Sequence, residues 1–194
     1  VSRGLGDVYK RQSYDYLRLE GRMQYRLNLP PIGYSQLMLE GGKIFGKVPY
    51  LLLKLHEGNG TYFYDRYAFS CMNFYEFSSD AWISFFYEHH FNGFLLGRVP
   101  LLKKLNWREV FVFKGVYGTL SARNDGSLPN TKAVMLFPVG MSSVEHPYLE
   151  TGFGIENIFR LLRVDCIWRL THHRAVPGLS IPTFTVNFSL NLKF

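Results

Sequence analysis

The residues that could do chemistry in this chain of 194 residues are its histidines and the serines and carboxylates near them. Ser84, Glu88 and His90 follow one another at even spacings, which places them on one face of a strand. At about 3.3 Å per residue, Ser84 and His90 lie roughly 20 Å apart, too far for a nucleophile and its base. A serine partner would therefore come from another strand, and the sequence does not name one.

Metal binding is not favoured by the histidine spacing. In Glu88-His89-His90 the two histidines point to opposite faces of a strand, so they do not share a metal in regular geometry. The remaining histidines fall in connections or at a strand end, without a short ligand spacing: His56, His146, His172 and His173. We predict no catalytic residue, no metal site and no cofactor, and an outer-membrane hydrolase ranks third among the functions considered.

Charged residues that alternate with apolar residues form the second candidate set. They are Arg18, Glu20, Arg22, Arg26, Glu88, Glu150, Arg163, Asp165 and Arg169. Ion pairs between neighbouring strands would hold the interior of a narrow barrel together and block it. The alternative is a charged pore that selects solutes. Both interpretations stay open, and structural pairing is the favoured one.

Eight strands joined as an up-and-down meander would position these charges. We predict strands at residues 14–29, 34–45, 62–77, 81–91, 107–120, 148–157, 159–172 and 181–194. Several exceed ten residues, whereas strands of soluble sandwiches mostly have about five or six. Arg163, Asp165 and Arg169 share one phase of a strand whose other phase is wholly apolar. This pattern favours a polar lumen and a lipid-facing exterior over a water-facing sheet on a dry core.

The last strand carries the clearest alternation. Its apolar phase consists of Phe184, Val186, Phe188, Leu190, Leu192 and Phe194, and its other phase is polar. A strand of about 9–11 residues crosses a bilayer at a tilt. The aromatic carboxy-terminus resembles the terminal strand of bacterial outer-membrane barrels, where this pattern is the assembly signal. The outer strand of a soluble sandwich is the alternative, because it also alternates.

An internal repeat gives an expected orientation. Gly46–Leu55 and Gly97–Leu105 match nearly residue for residue, and Ile158–Arg163 is a shorter echo. If the chain ends in the periplasm, counting the predicted strands backwards places all three at periplasmic turns. Proline followed by leucines and lysines suits a short amphipathic helical turn at the membrane interface, although a loop that plugs the lower rim is equally compatible. The predicted interfacial residues are Val48, Pro49, Leu52, Val99, Pro100 and Leu102.

The same count places four connections outside the cell: residues 30–33, 78–80, 121–147 and 172–180. The connections after the second and fourth predicted strands are longer than periplasmic turns usually are, which argues mildly against this orientation.

Composition agrees with a barrel and disfavours other classes. Aromatic residues make up 17% of the chain and mean hydropathy is −0.06, so a lipid-facing surface can coexist with average polarity. The best apolar run, Val48–Leu55, is interrupted by Pro49 and Lys54 and is far shorter than a spanning helix. The net charge of +7 is spread along the chain, so nucleic acid is not a predicted partner. Cys71 and Cys166 are interpreted as small apolar side chains, not as a disulfide.

The amino-terminus has a separate interpretation. Residues 7–12, Asp-Val-Tyr-Lys-Arg-Gln, are what a common transposon adapter of sequencing libraries encodes in frame. We therefore interpret residues 1–12 as a sequencing scar and residues 13–194 as the carboxy-terminal barrel region of a longer protein. On this interpretation, the absence of a signal peptide carries no weight.

Four segments carry a family resemblance: residues 34–50, 57–69, 88–94 and 99–109. They resemble an uncharacterised family of Bacteroidetes outer-membrane proteins, and the resemblance spans nearly all of residues 14–194. Members of that family pair an amino-terminal carboxypeptidase-regulatory-like domain with a carboxy-terminal barrel. The barrel is distantly similar to the surface-antigen superfamily of outer-membrane insertases and translocases. The resemblance implies location and architecture, and it implies no reaction.

The sequence thus predicts an all-β fold: an antiparallel, up-and-down transmembrane β-barrel of about eight strands, cut from a larger barrel. The expected function is non-enzymatic, in transport, surface binding or envelope biogenesis at the bacterial outer membrane. An insertase or translocase-like role is the alternative. The expected partners are outer-membrane lipids, the barrel-assembly machinery and the missing amino-terminal part of the chain, and the ligand is unknown.

Overall fold

The computed structural model describes residues 14–127, 132–173 and 180–190, and it is all-β. Its strands are β1 (Tyr16–Asn28), β2 (Tyr34–Gly46), β3 (Lys54–Leu55), β4 (Phe77–Ser79), β5 (Ala81–His90), β6 (Arg108–Thr119), β7 (Ser142–Ser143), β8 (Tyr148–Ile158), β9 (Leu162–Arg169) and β10 (Phe184–Leu190). Seven of them form one antiparallel sheet in the order β1-β2-β5-β6-β8-β9-β10, and β3, β4 and β7 form a second, small sheet.

Helical structure in the described residues is confined to short turns. They are the 3₁₀ turns Tyr50–Leu52 and Leu96–Arg98 and the single α-helical turn α1 (Pro100–Lys103). None of them has the length and apolar character to cross a bilayer.

The strand register gives the large sheet one apolar face, which we call the outer face. Residues opposite each other in the register share a face, and the pairs here include Leu39 with Phe85, Phe111 with Phe153, and Trp168 with Phe184. Many outer-face side chains are exposed, such as Ile83 at 56% and Phe153 at 60%. The predicted alternation of β1, β5, β8, β9 and β10 is therefore present in the sheet.

The opposite face, which we call the inner face, carries the core. One cluster joins Met38, Phe86, Val116 and Tyr148 of the sheet to Phe69, Met72, Phe77 and Val144 of the connections. A second cluster joins Ile44 and Trp82 to Val48 and Leu53. The chain's own connections thus bury the inner face at these strands, whereas the inner face of β1 is exposed.

The strand predicted at residues 62–77 is wrong. Only isolated bridges form near it, Gly58 with Phe69 and Phe63 with Phe188. The chain instead crosses the inner face, where Phe69 and Cys71 are 1% and 0% exposed. The alternation predicts that every second side chain is buried, whereas residues 68–72 are all buried, as in an irregular segment packed on a sheet.

The loss of that strand changes which connections share an end of the sheet. Residues 29–33, 91–107 and 159–161 lie at one end, which we call the short-loop end. Residues 47–80, 120–147 and 170–183 connect the strands at the other, long-loop end. The two copies of the repeat, expected together, therefore lie at opposite ends. The 29–33 turn, expected with the long loops, lies at the short-loop end.

The described strands do not close into a barrel, because β1 and β10 lie at opposite edges of the sheet. All thirteen residues of β1 are exposed, and its outer edge has no strand partner among the described residues. The edge of β10 is partly occupied, since the N–H of Tyr64 donates to the carbonyl of Phe188 and the N–H of Phe188 donates to the carbonyl of Tyr62. Cys71 and Cys166 are free thiols, as predicted.

Candidate functional site

Residues 57–76, which we call the covering segment, lie across the inner face and are held by buried charges. Glu150 on β8 is fully buried and accepts the backbone N–H groups of Ser70 at 2.8 Å and Cys71 at 2.7 Å. The hydroxyl of Tyr148 donates to the same carboxylate at 2.6 Å. The Glu150 carboxylate thus accepts two backbone hydrogen bonds that the carbonyl groups of a neighbouring strand would accept in a sheet.

Lys114 on β6 binds the same segment through its carbonyl groups. Its ammonium donates to the carbonyl oxygens of Asp65 at 2.8 Å and Ala68 at 2.7 Å and lies 4.5 Å from the Tyr64 ring centroid. Lys114 is fully buried, so these acceptors replace its hydration. Residues 111–116 are otherwise apolar or glycine, and a lone lysine in such a run is the signal by which sequence reasoning could have found it.

Arg169 fixes the end of the covering segment. Its guanidinium forms a buried ion pair with Glu76 at 2.6 Å and donates to the carbonyls of Cys71 at 3.2 Å and His172 at 2.7 Å. Burial of the Cys71 thiol in this environment raises its pKa to about 12, so it stays protonated.

Glu88 on β5 is the centre of a charged cluster. It accepts from Arg66 at 2.8 Å and from Arg163 at 3.2 Å, and the hydroxyl of Tyr64 also donates to it. Arg163 is bonded in turn to Asp165 at 2.8 Å. Two arginines and a tyrosine thus satisfy a carboxylate that would be costly to bury alone.

The charges of β1 are in a more open part of the inner face. Arg18 pairs with Glu20 at 2.8 Å on the surface, Arg22 pairs with Glu40 at 2.6 Å, and Arg26 lies 4.0 Å from the Tyr34 ring centroid. All nine charges predicted to share a phase lie on this face. The structure brings those of β5, β8 and β9 under the covering segment and leaves those of β1 exposed, with Arg26 lining a cavity of about 230 Å³ that Glu88 also borders.

The histidines do not assemble a metal site in the part of the chain that the structure describes. His90 is engaged by Glu156 at 3.1 Å, and Ser84 does not contact it. His56 is buried against the Ser79 hydroxyl at 2.9 Å, and burial, aided by the nearby Lys54 ammonium, lowers its pKa to about 3.

One serine and one histidine do meet. The Ser35 hydroxyl lies 2.8 Å from Nδ1 of His89, and Nε2 of His89 lies 3.1 Å from the carbonyl of Ile32. Sequence reasoning required a serine from another strand for His90, and Ser35 of β2 instead meets the neighbouring His89. No carboxylate among the described residues orients this histidine, and both side chains are about 6% exposed. The pair therefore lacks the acid of a hydrolase triad and an open approach to the serine.

The predicted interfacial turns separate into two environments. Val48 and Pro49 are buried, and Leu52 packs against the second core cluster. Val99 and Pro100 are exposed and Leu102 is half-buried, beside the exposed Leu95 and Leu105. The second copy alone retains the exposed amphipathic character that the sequence predicted for both.

The residues predicted as the assembly signal lie partly in β10. Phe184, Val186, Phe188 and Leu190 occupy the outer face, paired with β9 residues of the same phase. Leu192 and Phe194 lie outside the described residues.

Comparison with known proteins gives one match. The family model described as "Family of unknown function (DUF5686) C-terminal domain" matches residues 1–122. No curated protein and no solved structure matches the chain.

Proposed function

The chain belongs to the family of unknown function DUF5686 by its C-terminal domain, and from its architecture we propose that it is a non-enzymatic β-barrel protein of the bacterial outer membrane. The seven-stranded sheet would be part of the barrel wall, with the outer face towards lipid and the inner face towards the lumen. The supported role is surface binding or envelope biogenesis in preference to solute transport, because the covering segment fills much of the lumenal face.

The observation that carries this proposal is the exposed apolar outer face. Monomeric soluble proteins rarely expose contiguous apolar patches larger than a few hundred Å². Here large apolar residues from all seven strands share one face, and many of them are exposed: Leu19, Met23, Ile83, Tyr117, Phe153, Trp168 and Phe184. The strands also have suitable lengths, from seven residues in β10 to thirteen in β1 and β2.

Orientation follows from the loops. Outer-membrane barrels have short periplasmic turns and longer external loops. We therefore assign the short-loop end to the periplasm and the long-loop end to the outside. On this assignment, β10 runs towards the periplasm.

Closure of the barrel requires additional strands between β1 and β10, because backbone groups in lipid have no water to bind. We propose that an amino-terminal part of the same polypeptide supplies them. A carboxypeptidase-regulatory-like domain before the barrel, an origin in Bacteroidetes, and partnership with outer-membrane lipids and the barrel-assembly machinery belong to the same proposal.

Two exposed positions provide the test. In a background without Cys71 and Cys166, Phe153→Cys on the outer face and Glu145→Cys in a long-loop-end connection are both exposed in the structure. Whole cells are treated with a membrane-impermeant maleimide, before and after detergent solubilisation and denaturation. We expect Glu145→Cys to react in cells and Phe153→Cys only after denaturation, with the protein in the outer-membrane fraction. Equal labelling of both, with the protein in the soluble fraction, would overturn the proposal.

The outer edge of β1, which has no strand partner among the described residues, favours a second candidate, an insertase or translocase-like barrel whose closing strands can part from this edge. In the part of the chain that the structure describes, the thirteen exposed residues of β1 have backbone groups on one side to which a client strand could add. Depletion of the protein in its source organism should then lower the levels of other outer-membrane proteins. Unchanged levels of other outer-membrane proteins would contradict this second candidate and would leave only the first proposal.

A further inference from the structure

An open groove of about 860 Å³ lies at the short-loop end, between two connections of the sheet. One wall is formed by the β5–β6 connection, which includes α1, with Asn92, Lys103 and Asn106. The other is formed by Asn157 near the end of β8 and Arg160 of the β8–β9 turn. Arg108, the first residue of β6, completes the lining. The groove therefore brings three cations from separate elements around one open volume.

These three cations differ from the other arginines of the inner face. Arg22, Arg66, Arg163 and Arg169 each form an ion pair with a carboxylate. Among the residues that the structure describes, Lys103, Arg108 and Arg160 form none. Like charges repel when they share a site without a counter-ion, so the groove is suited to an anion.

The two acidic residues next to the lining residues in the sequence hydrogen-bond to other groups. Glu156 accepts from His90 at 3.1 Å, and Glu109 accepts the backbone N–H of Leu96. The Asn157 amide also has a partner, because it donates to the carbonyl of Asn106 at 2.7 Å and so holds the two walls together. The two walls are thus held together. Glu156 lies opposite Arg108 in the register and attracts it without a close ion pair, and Lys103 and Arg160 have no carboxylate partner among the described residues.

The rim of the groove is apolar and exposed. Leu105 and Phe159 directly precede the lining residues Asn106 and Arg160 in the sequence and are 47% and 86% exposed, and Leu95, in the same connection as Leu105, is 52% exposed. A ligand that occupies the groove would meet cations below and large apolar side chains beside it. An anion with an acyl chain matches both, whereas a free inorganic anion matches only the cations.

We propose that this groove binds the phosphate group of an anionic membrane lipid. Lys103, Arg108 and Arg160 would contact the phosphate oxygens, and the lipid chain would run along the outer face past Leu105 and Phe159. This inference rests on the proposed membrane location of the sheet. It adds a binding site that anchors the short-loop end at the level of the lipid headgroups.

The test compares two triple variants of the full chain. Lys103→Gln/Arg108→Gln/Arg160→Gln removes the groove cations. Lys47→Gln/Arg123→Gln/Lys132→Gln removes three exposed cations from the long-loop-end connections and is the matched control. Each protein is purified in a neutral detergent, and bound phosphatidylglycerol is measured by native mass spectrometry. Phosphatidylcholine and inorganic phosphate are titrated in parallel arms.

We expect phosphatidylglycerol to bind the wild-type protein and the control variant, and to bind the groove variant roughly tenfold to a hundredfold more weakly. Equal binding to both variants would overturn the site. Inorganic phosphate that binds as tightly as the lipid would overturn the lipid as ligand. A protein that dissolves without detergent overturns the proposed function, whereas equal binding in a detergent-requiring protein overturns only the lipid site.

Discussion

The carboxylate of Glu150 accepts the backbone N–H of Cys71 at 2.7 Å, across 79 positions of sequence. This bond joins the sheet to a segment whose alternation resembles that of a strand. Together with Lys114 and Arg169, it gives residues of the covering segment side-chain partners in place of a strand ladder. The inner face therefore specifies where the segment lies, and the segment in turn covers the inner face.

Replacement of this carboxylate tests how firmly the segment is held. Glu150→Gln turns one of two acceptor oxygens into a donor that faces another N–H group. We expect a loss of about 2–4 kcal/mol in the free energy of unfolding, because buried donors are left without an acceptor. Glu20→Gln, whose side chain is 50% exposed, is the control and should change stability by less than about 0.5 kcal/mol. Urea unfolding in detergent, followed by tryptophan fluorescence, measures both.

Lys114 makes the complementary contacts, and its removal should loosen the segment locally. Lys114→Met keeps much of the side-chain volume but leaves the carbonyls of Asp65 and Ala68 without a donor. We expect hydrogen exchange at the amides of Ser70 and Cys71 to be roughly tenfold faster or more, because local opening of the segment then costs less free energy. Lys47→Met, an exposed substitution, should leave exchange at these amides unchanged. Unchanged exchange in both variants would mean that Lys114 does not hold the segment.

The sequence predicted which residues of the observed strands lie on each face of the sheet. The prediction was wrong for the covering segment, whose position depends on contacts with residues distant in sequence. The phases of β9, with Arg163 and Asp165 opposite Val164 and Cys166, follow from alternation alone. Tyr67, Phe69 and Cys71 alternate as well, but their burial comes from the inner face, which is built by strands distant in sequence. A local pattern carries no information about that partner. Because the strand predicted at residues 62–77 is absent, each connection that precedes it in the sequence lies at the end of the sheet opposite to the expected one.

The buried His56 predicts a stability that depends on pH. Burial lowers its folded-state pKa to about 3, below the value of about 6.5 expected in the unfolded chain. The unfolded state therefore binds the additional proton between these pH values, and stability is lost as the pH falls through this range, by up to about 1.4 kcal/mol per unit. His56→Gln should show a shallower decline than the wild-type protein between pH 6.5 and 4. Parallel curves would contradict a buried, neutral histidine.

The Ser35–His89 contact gives a direct test of the non-enzymatic assignment. Without a carboxylate to orient the imidazole, we expect Ser35 to be a poor nucleophile. A fluorophosphonate probe should not label the purified wild-type protein, and Ser35→Ala should behave identically. Labelling that is present in the wild-type protein and absent from Ser35→Ala would show an activated serine and would favour the hydrolase.

The outer face predicts opposite effects of one charge in lipid and in water. Phe153 is the sixth of the eleven residues of β8, near mid-strand, and is 60% exposed. In a membrane, Phe153→Arg would place a guanidinium near the bilayer midplane and cost about 2–4 kcal/mol. In water, the same substitution would improve solubility. Val139→Arg, at a residue 90% exposed in a long-loop-end connection, is the matched control. We expect the amount of folded protein in the outer membrane, read from heat-modifiable electrophoretic mobility, to fall for Phe153→Arg and to stay at the wild-type level for Val139→Arg, because only the first charge must enter hydrocarbon.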